Sequence, residues 1–305
     1  MFITDAHCDT LMAVGVNGRK IEECMVTPDY LKKGGVGIQT FAMFAGPKGP
    51  AGTPYEDGLK MLSAIDKLGV PVYRRELPEN PPEEPHGVIS IEGGEMLVGS
   101  LDKLAEFDDA AWLRLIALTW NNENEIGYPA KNGPDGHLKP FGLELLREMD
   151  DRGILADVSH LNVDGFWDIC DHMDLPPVAS HSNCRWLCDV PRNLNRDQVK
   201  AVIEKQGFIG ANFYTAFLTK NETATLEDVF RHIDAICEMG GEKVVGFGSD
   251  FDGIERWPEG LANPGDFPAL LDLLRSHGYS EETVADIAGR NYWKLLKRAE
   301  ARRAR

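Results

Sequence analysis

The chain has 305 residues, of which 43% are hydrophobic, and its formal net charge is −17. A chain of this length can bury a full core as one domain, and its acid excess opposes binding to nucleic-acid phosphates and to anionic lipid. No apolar run approaches the ~18 residues of a membrane span. We therefore expect a globular protein that binds neither nucleic acid nor membranes.

The N-terminus and the cysteines both favour a cytoplasmic location. The first residues (MFITD) lack the basic and apolar regions of a signal peptide. The six cysteines are spread through the chain, unlike the dense pattern of a small secreted scaffold, so we expect reduced thiols. They are Cys8, Cys24, Cys170, Cys184, Cys188 and Cys237.

Eight short apolar segments recur along the chain, each followed by a helical or loop segment. The predicted strands are residues 2–6, 36–44, 87–91, 114–119, 154–159, 177–180, 208–214 and 243–248. Helices are predicted at residues 55–68, 140–152, 196–206, 226–239 and 268–277. Eight strands alternating with helices predict an α/β fold, a (β/α)8 barrel more than an open sheet.

Glycines are expected to end four of these helices, at Gly69, Gly153, Gly207 and Gly240. The proline-rich segment at residues 78–85 resembles a linker, but strands continue on both sides of it. We therefore interpret it as a loop and expect one domain over residues 1–305.

Polar residues that could bind metal follow several predicted strands. His7 and Asp9 stand two residues apart at the end of the first strand, so both side chains point to the same side of the pleat. Glu92 emerges from the apolar third strand into a double-glycine turn, where a buried carboxylate needs a cation or several donors. His160 and His181 close consecutive strands, which lie ~4.8 Å apart in a parallel sheet.

In combination these five residues predict a metal centre at the C-terminal end of the barrel, where the active sites of this architecture gather. Carboxylates and imidazoles are ligands suited to zinc, and five of them exceed what one tetrahedral ion needs. We expect two zinc ions per chain, with Glu92 as the bridging ligand. Such a centre acidifies a bridging water to hydroxide and hydrolyses substrates without a side-chain nucleophile.

Other polar residues near the strand ends are candidates for catalysis and substrate binding. Asp250 follows the last strand and is placed to carry a proton from the water to a leaving amine. Asp252 competes for that role, but Asp250 is the first acid beyond the strand. Arg192 is a candidate for bidentate binding of a substrate carboxylate, and Tyr214 is a candidate for the pocket lining.

Seven motifs, taken in order over nearly the whole chain, resemble the membrane (renal) dipeptidase family of zinc peptidases, in particular a bacterial-type soluble member. They are residues 5–9 (DAHCD), 91–94 (IEGG), 157–160 (DVSH), 180–182 (SHS), 191–193 (PRN), 212–214 (NFY) and 246–253 (GFGSDFDG). The resemblance implies a distorted (β/α)8 barrel and hydrolysis of dipeptides, and it implies that many members accept a D-residue at the C-terminal side. It also implies a homodimer.

The same resemblance implies how the ligands divide. One zinc is held by His7 and Asp9, the second by His160 and His181, and Glu92 bridges them. The resemblance likewise implies that Arg192 binds the substrate carboxylate and that Asp250 transfers the proton.

Two positions depart from the family. Trp120 stands after the fourth strand, where animal members carry a histidine that contacts the substrate. Asn121, Asn122 or the metals themselves would then stabilise the oxyanion. Phe217 stands where a tyrosine is expected, so the polar lining of the pocket differs.

Two other classes of function stay open. One is another binuclear-metal amidohydrolase acting on N-acyl amino acids, cyclic amides or lactones. Its usual signs are a His-x-His pair after the first strand and a lysine on the fourth, whereas this chain has His-x-Asp and no lysine in residues 114–122. The other is a non-catalytic barrel for a small anionic ligand, which loss of a metal ligand or of Asp250 would favour.

Overall fold

The computed structural model describes residues 1–46, 53–131 and 135–303. Within these ranges eight parallel strands close into a barrel in sequential order, which confirms the predicted (β/α)8 fold. The strands are β1 (Ile3–Cys8), β2 (Val36–Phe44), β3 (His86–Glu92), β4 (Leu115–Ala117), β5 (Leu155–Asp157), β6 (Val178–Ala179), β7 (Phe208–Ala211) and β8 (Val245–Phe247).

Helices alternate with these strands along the chain. They are α1 (Thr10–Gly15), α2 (Pro28–Gly34), α3 (Pro54–Ala64), α4 (Leu101–Ala111), α5 (Pro140–Asp151), α6 (Val163–His172), α7 (Arg196–Glu204), α8 (Thr215–Leu218), α9 (Leu226–Cys237), α10 (Phe267–Ser276), α11 (Glu281–Ala285) and α12 (Asn291–Arg303). Short 3-10 segments lie at Ile21–Glu23, Ile65–Leu68, Gly94–Leu97 and Pro264–Asp266, and a π segment at Asp286–Arg290.

Side-chain caps explain where several helices begin. The Asn195 side chain accepts a hydrogen bond from the backbone N–H of Gln198 and starts α7. Thr225 pairs reciprocally with Asp228 at the start of α9. Such caps satisfy N–H groups that have no partner within the helix. All five predicted helices form at the predicted places.

The prediction that Gly207 ends a helix is wrong in detail. The residue with left-handed backbone after α7 is Gln206, with φ of 55°, whereas Gly69, Gly153 and Gly240 have positive φ as expected. Gly207 is needed for a different reason, because a Cβ there would lie 2.1 Å from the carbonyl oxygen of Pro177. The glycine allows the chain to enter β7 beside the start of β6.

Strand pairing is uneven around the barrel. β2 and β3 pair over seven residues. The β5–β6 junction has one register pair, Asp157 with Val178, and the β8–β1 junction has one, Asp5 with Phe247. A few backbone hydrogen bonds continue each junction, from Val158 N–H to the Val178 carbonyl oxygen and from Asp250 N–H to the His7 carbonyl oxygen. Both ladders are nevertheless short, so side-chain hydrogen bonds add to the closure there.

The core holds large aromatic side chains, and the cysteines are buried. Aromatic side chains such as Phe41, Phe208 and Phe247 are fully buried in the core. All six cysteines are buried and unpaired. Among the described residues, no helix combines the length and the apolar character that a membrane span requires.

Candidate metal centre and substrate cavity

The five predicted ligands converge at the C-terminal end of the barrel. His7 lies near the end of β1 with Asp9 just beyond it, and Glu92 is the last residue of β3. His160 and His181 lie in the turns that follow β5 and β6. Each of the five side chains is at most 8% exposed.

Glu92 stands between the two sets of ligands. Its Oε2 lies 3.3 Å from His7 Nε2. Its Oε1 lies 2.9 Å from His160 Nε2 and 3.6 Å from His181 Nε2. One carboxylate thus presents a separate oxygen to each set, the arrangement that a bridging ligand requires.

The donor atoms of this cluster fit divalent metal ions. His7, Glu92 and His181 offer ligand atoms within 4.8 Å of one another, and so do His7, Asp9 and Asp250. Within the described ranges, His7 Nε2 and Asp9 Oδ1 are buried and have no hydrogen-bond partner. Buried polar atoms without partners are costly, and coordination to a cation satisfies them. Nitrogen and carboxylate donors in this mixture suit zinc.

The charges of the cluster are strongly coupled. Burial opposes a positive charge on His7, but the carboxylates of Glu92 and Asp9 together outweigh it and hold the pKa of His7 well above its usual value. Glu92 is also buried, yet His7 and His160 hold the pKa of Glu92 well below its usual range. Burial, followed by the charge of Arg192, lowers the pKa of His160 to about 4. A neutral imidazole at His160 is the form that binds metal.

Hydrogen bonds that Nδ1–H donates orient His160 and His181. The Ser180 hydroxyl donates to the Asp157 carboxylate, so Nδ1–H of His181 donates to Ser180 Oγ at 2.7 Å. The Nδ1 of His160 lies 3.1 Å from Asn121 Oδ1 and donates to it. Both contacts place a ring proton on Nδ1, so Nε2, which lies beside Glu92, is the nitrogen of each ring that would bind a metal ion.

Two buried aspartates hold the loops that carry site residues. Asp157 accepts from both N–H and O–H of Ser180, and Asp5 accepts from N–H (2.8 Å) and O–H (2.5 Å) of Ser249. We call these pairs the β5–β6 clamp and the β8–β1 clamp. Sequence analysis gave neither clamp a role, although each serine directly precedes a predicted site residue, His181 or Asp250.

Asp250 lies within the cluster and Asp252 does not. Asp250 Oδ1 is 3.9 Å from His7 Nε2, and Oδ2 accepts from Asn212 Nδ2 at 2.8 Å. Burial raises the pKa of Asp250 to about 6 against the opposing charge of His7. A carboxyl group of intermediate acidity suits proton transfer near neutral pH.

Asp252 is occupied by structural hydrogen bonds. It accepts from Thr10 Oγ1 at 2.6 Å and from the backbone N–H of Met25 at 2.9 Å, and it also pairs with Arg19 at 3.5 Å. These partners connect the end of the barrel to α1 and to the segment that follows it. The geometry therefore favours Asp250 over Asp252 for proton transfer.

A cavity of about 360 Å³ opens onto the cluster of candidate metal ligands. All four predicted substrate-binding residues line it, together with side chains that the sequence analysis did not assign. The lining comprises Asp9, Met12, Phe44, Glu92, Trp120, Asn121, Lys131, His160, Arg192, Tyr214, Phe217, Asp250, Asp252, Gly253, Ile254 and Glu255.

Arg192 is fixed beside the cavity. Its Nη1 donates to Ser182 Oγ and its Nη2 donates to the His181 carbonyl oxygen, both at 3.1 Å. The guanidinium also lies over the Phe217 ring, 5.4 Å from the centroid. A guanidinium has five N–H groups, so donors remain for a ligand carboxylate.

Aromatic pairs form part of the cavity wall. Phe44 packs against Trp120 with ring centroids 5.0 Å apart. Tyr214 packs edge-on against Phe217 at 4.9 Å. The cavity therefore joins an apolar lining to a cluster of buried charges, as small-molecule sites commonly do.

Comparisons with known proteins match the chain to a peptidase family. The family model described as membrane dipeptidase (peptidase family M19) matches residues 1–305. An uncharacterised dipeptidase of Schizosaccharomyces pombe is 34% identical over 217 residues, which span 70% of this chain and 53% of that protein.

Two solved structures resemble this one along their whole length. The structure described as a dipeptidase AC, a metallopeptidase of family M19, has a TM-score of 0.87 at 26% identity and covers 98% of both chains. A metallopeptidase from Rhodobacter sphaeroides, liganded with a phosphinate mimic of the dipeptide L-Ala-D-Ala, has a TM-score of 0.85 at 25% identity. That match covers 98% of this chain and 99% of the other.

Proposed function

The chain belongs to the membrane dipeptidase family, peptidase family M19, and we propose that it hydrolyses dipeptides at a centre of two zinc ions. It is a metal-dependent hydrolase of the dipeptidase type. The observation that carries the proposal is the position of Glu92, whose two oxygens face different histidine sets. We include dipeptides with a C-terminal D-residue, since the Rhodobacter relative was solved with a mimic of L-Ala-D-Ala.

The five converging side chains divide into two ligand sets. His7 and Asp9 would hold one zinc ion, His160 and His181 the other, and Glu92 both. When bound, the ions would supply Lewis acidity that polarises the scissile carbonyl and lowers the pKa of water.

Substrate is held by the arginine and the cavity walls. Arg192 binds the substrate carboxylate with its remaining N–H groups and so fixes the distance from the C-terminus to the scissile bond. Trp120 and Tyr214 contact the substrate side chains, and Asn121 faces the cavity from beside His160. Trp120 makes this part of the wall apolar, whereas the resemblance to animal members of the family implies a histidine there.

Asp250 moves the proton. Its Oδ1 accepts a proton from the attacking water as the water oxygen bonds to the carbonyl carbon. The same carboxyl then donates that proton to the amide nitrogen as the C–N bond breaks, which releases two amino acids.

We also propose a cytoplasmic location, which the six unpaired, buried cysteines support. The homodimer and the single domain over residues 1–305 stay predictions. Sedimentation analysis tests the first of these, and limited proteolysis tests the second.

The test combines metal content with hydrolysis of matched L-Xaa-L-Xaa and L-Xaa-D-Xaa dipeptides, before and after chelation. We expect two zinc ions per chain and loss of turnover on chelation. Asp250→Asn should lower kcat by about 10³-fold with the metals retained, because the proton carrier is gone. Asp252→Asn is the matched control, and it should retain most of the turnover. Bound metals with turnover of N-acyl amino acids but of no dipeptide would contradict the proposal.

A further inference from the structure

We propose that Asn212 is a positioning residue that holds Asp250 in its working orientation through a relay of two buried amides, Asn183 and Asn212. The inference rests on the proposed role of Asp250 in proton transfer. It concerns residues for which the sequence gave no function.

The orientation of the Asn212 amide follows from its partners. Its Oδ1 accepts from the backbone N–H of Tyr214 at 2.6 Å, so Nδ2 is the atom that faces Asp250 Oδ2 at 2.8 Å. Nδ2 also lies 3.4 Å from the His181 carbonyl oxygen. Reversing the amide would place two acceptors against each other at the carboxylate. Asn212 therefore donates to Asp250.

Asn183 fixes Asn212 from the other side. The Asn183 Nδ2 donates to the Asn212 carbonyl oxygen at 2.9 Å, and Asn183 Oδ1 accepts from the Asn212 N–H at 3.1 Å. Asn183 is 1% exposed and Asn212 is fully buried. The two amides thus link the turn after β6, the end of β7 and the turn after β8, where the strands no longer pair.

The relay determines which oxygen of Asp250 is available. Oδ2 is engaged by Asn212, whereas Oδ1 points toward His7. The Asp250 backbone is left-handed, with φ of 65°, and its N–H donates to the His7 carbonyl oxygen. Backbone and side chain are therefore both anchored, and Oδ1 is the oxygen that Asn212 leaves available on the side of His7. Without the Asn212 donor the carboxyl could rotate about its side-chain torsions.

A double-mutant cycle tests this inference on kcat. Asn212→Ala should lower kcat by about 10- to 100-fold with little change in KM, because misplacing a reacting group by about an ångström has effects of that size. In the Asp250→Asn background the same change should alter kcat by no more than about twofold. Equal losses in both backgrounds would show that Asn212 acts on the fold in general, and would overturn the inference.

Crystal structures provide an outcome that does not depend on activity. In metal-loaded Asn212→Ala, we expect the Asp250 carboxyl to leave its wild-type rotamer or to occupy several rotamers. A single, unchanged rotamer would overturn the inference. An inactive wild-type enzyme would contradict the proposed function alone, since the rotamer comparison would still decide the role of Asn212.

Discussion

Neighbouring strands of the barrel are held together in two different ways. One is seen in the β2–β3 pair, and the other at the β5–β6 and β8–β1 junctions. β2 and β3 pair over seven residues, and this ladder carries Glu92 to its place at the end of β3. Each junction has one register pair. There the β5–β6 clamp and the β8–β1 clamp connect neighbouring strands through a buried aspartate and a serine.

This comparison indicates that side-chain hydrogen bonds position the site residues where the ladder between two strands is short. Both clamps share a geometry, since each aspartate also accepts from the N–H two residues ahead, that of His7 for Asp5 and that of Ser159 for Asp157. Buried carboxylates of this kind are stable only when donors satisfy them. Each clamp therefore links barrel closure to the placement of the next residue, His181 or Asp250.

The largest effect is expected from breaking the β5–β6 clamp with Ser180→Ala. His181 Nδ1 loses its acceptor and Asp157 loses a donor, so zinc affinity should fall by about 10- to 100-fold. The free energy of unfolding should fall by about 1–3 kcal/mol. Chelator competition and denaturant titration measure the two quantities. A zinc affinity equal to that of the wild type would contradict a positioning role for Ser180.

Breaking the β8–β1 clamp with Ser249→Ala should have a smaller and different effect. Asp5 keeps the Ser249 N–H but loses its O–H donor, and the turn that carries Asp250 loosens. We expect kcat to fall by roughly tenfold while zinc affinity stays near that of the wild type, since β1 still pairs along β2. A large loss of zinc affinity with kcat intact at saturating zinc would contradict this division between the clamps.

The smallest effect is expected on the β2–β3 pair, with Ser90→Ala as a matched serine-to-alanine change. Ser90 Oγ is buried in β3 and, within the described residues, has no hydrogen-bond partner. Removing it should leave zinc affinity unchanged and raise the free energy of unfolding by up to about 1 kcal/mol, because an unsatisfied hydroxyl is costly to bury. A loss of zinc affinity comparable to that of Ser180→Ala would remove the contrast between ladder and clamp.

The sequence predicted the places of all eight strands but overestimated the length of several. Residues 208–214 read as one strand, yet β7 ends at Ala211. Residues 114–119 likewise shorten to Leu115–Ala117 in β4. Apolar patterning reports burial, and the chain stays buried after it leaves the ladder, so the pattern continues past the last paired residue.

The sequence predicted some of the site residues and missed others. Charged residues at strand ends could be found because all strands of such a barrel deliver them to one face. Asp5, Ser180 and Asn212 could not be assigned, because their partners lie on other strands at unpredictable sequence separations. The available signal was a polar residue inside an otherwise apolar strand end, as in Asp5 two residues before His7.

Anomalous diffraction from crystals at the zinc absorption edge tests the central claim most directly. We expect two peaks in each chain, one bounded by His7, Asp9 and Glu92 and the other by Glu92, His160 and His181. Glu92 should contact both. A single peak, or two peaks of which only one touches Glu92, would contradict the bridged two-zinc centre.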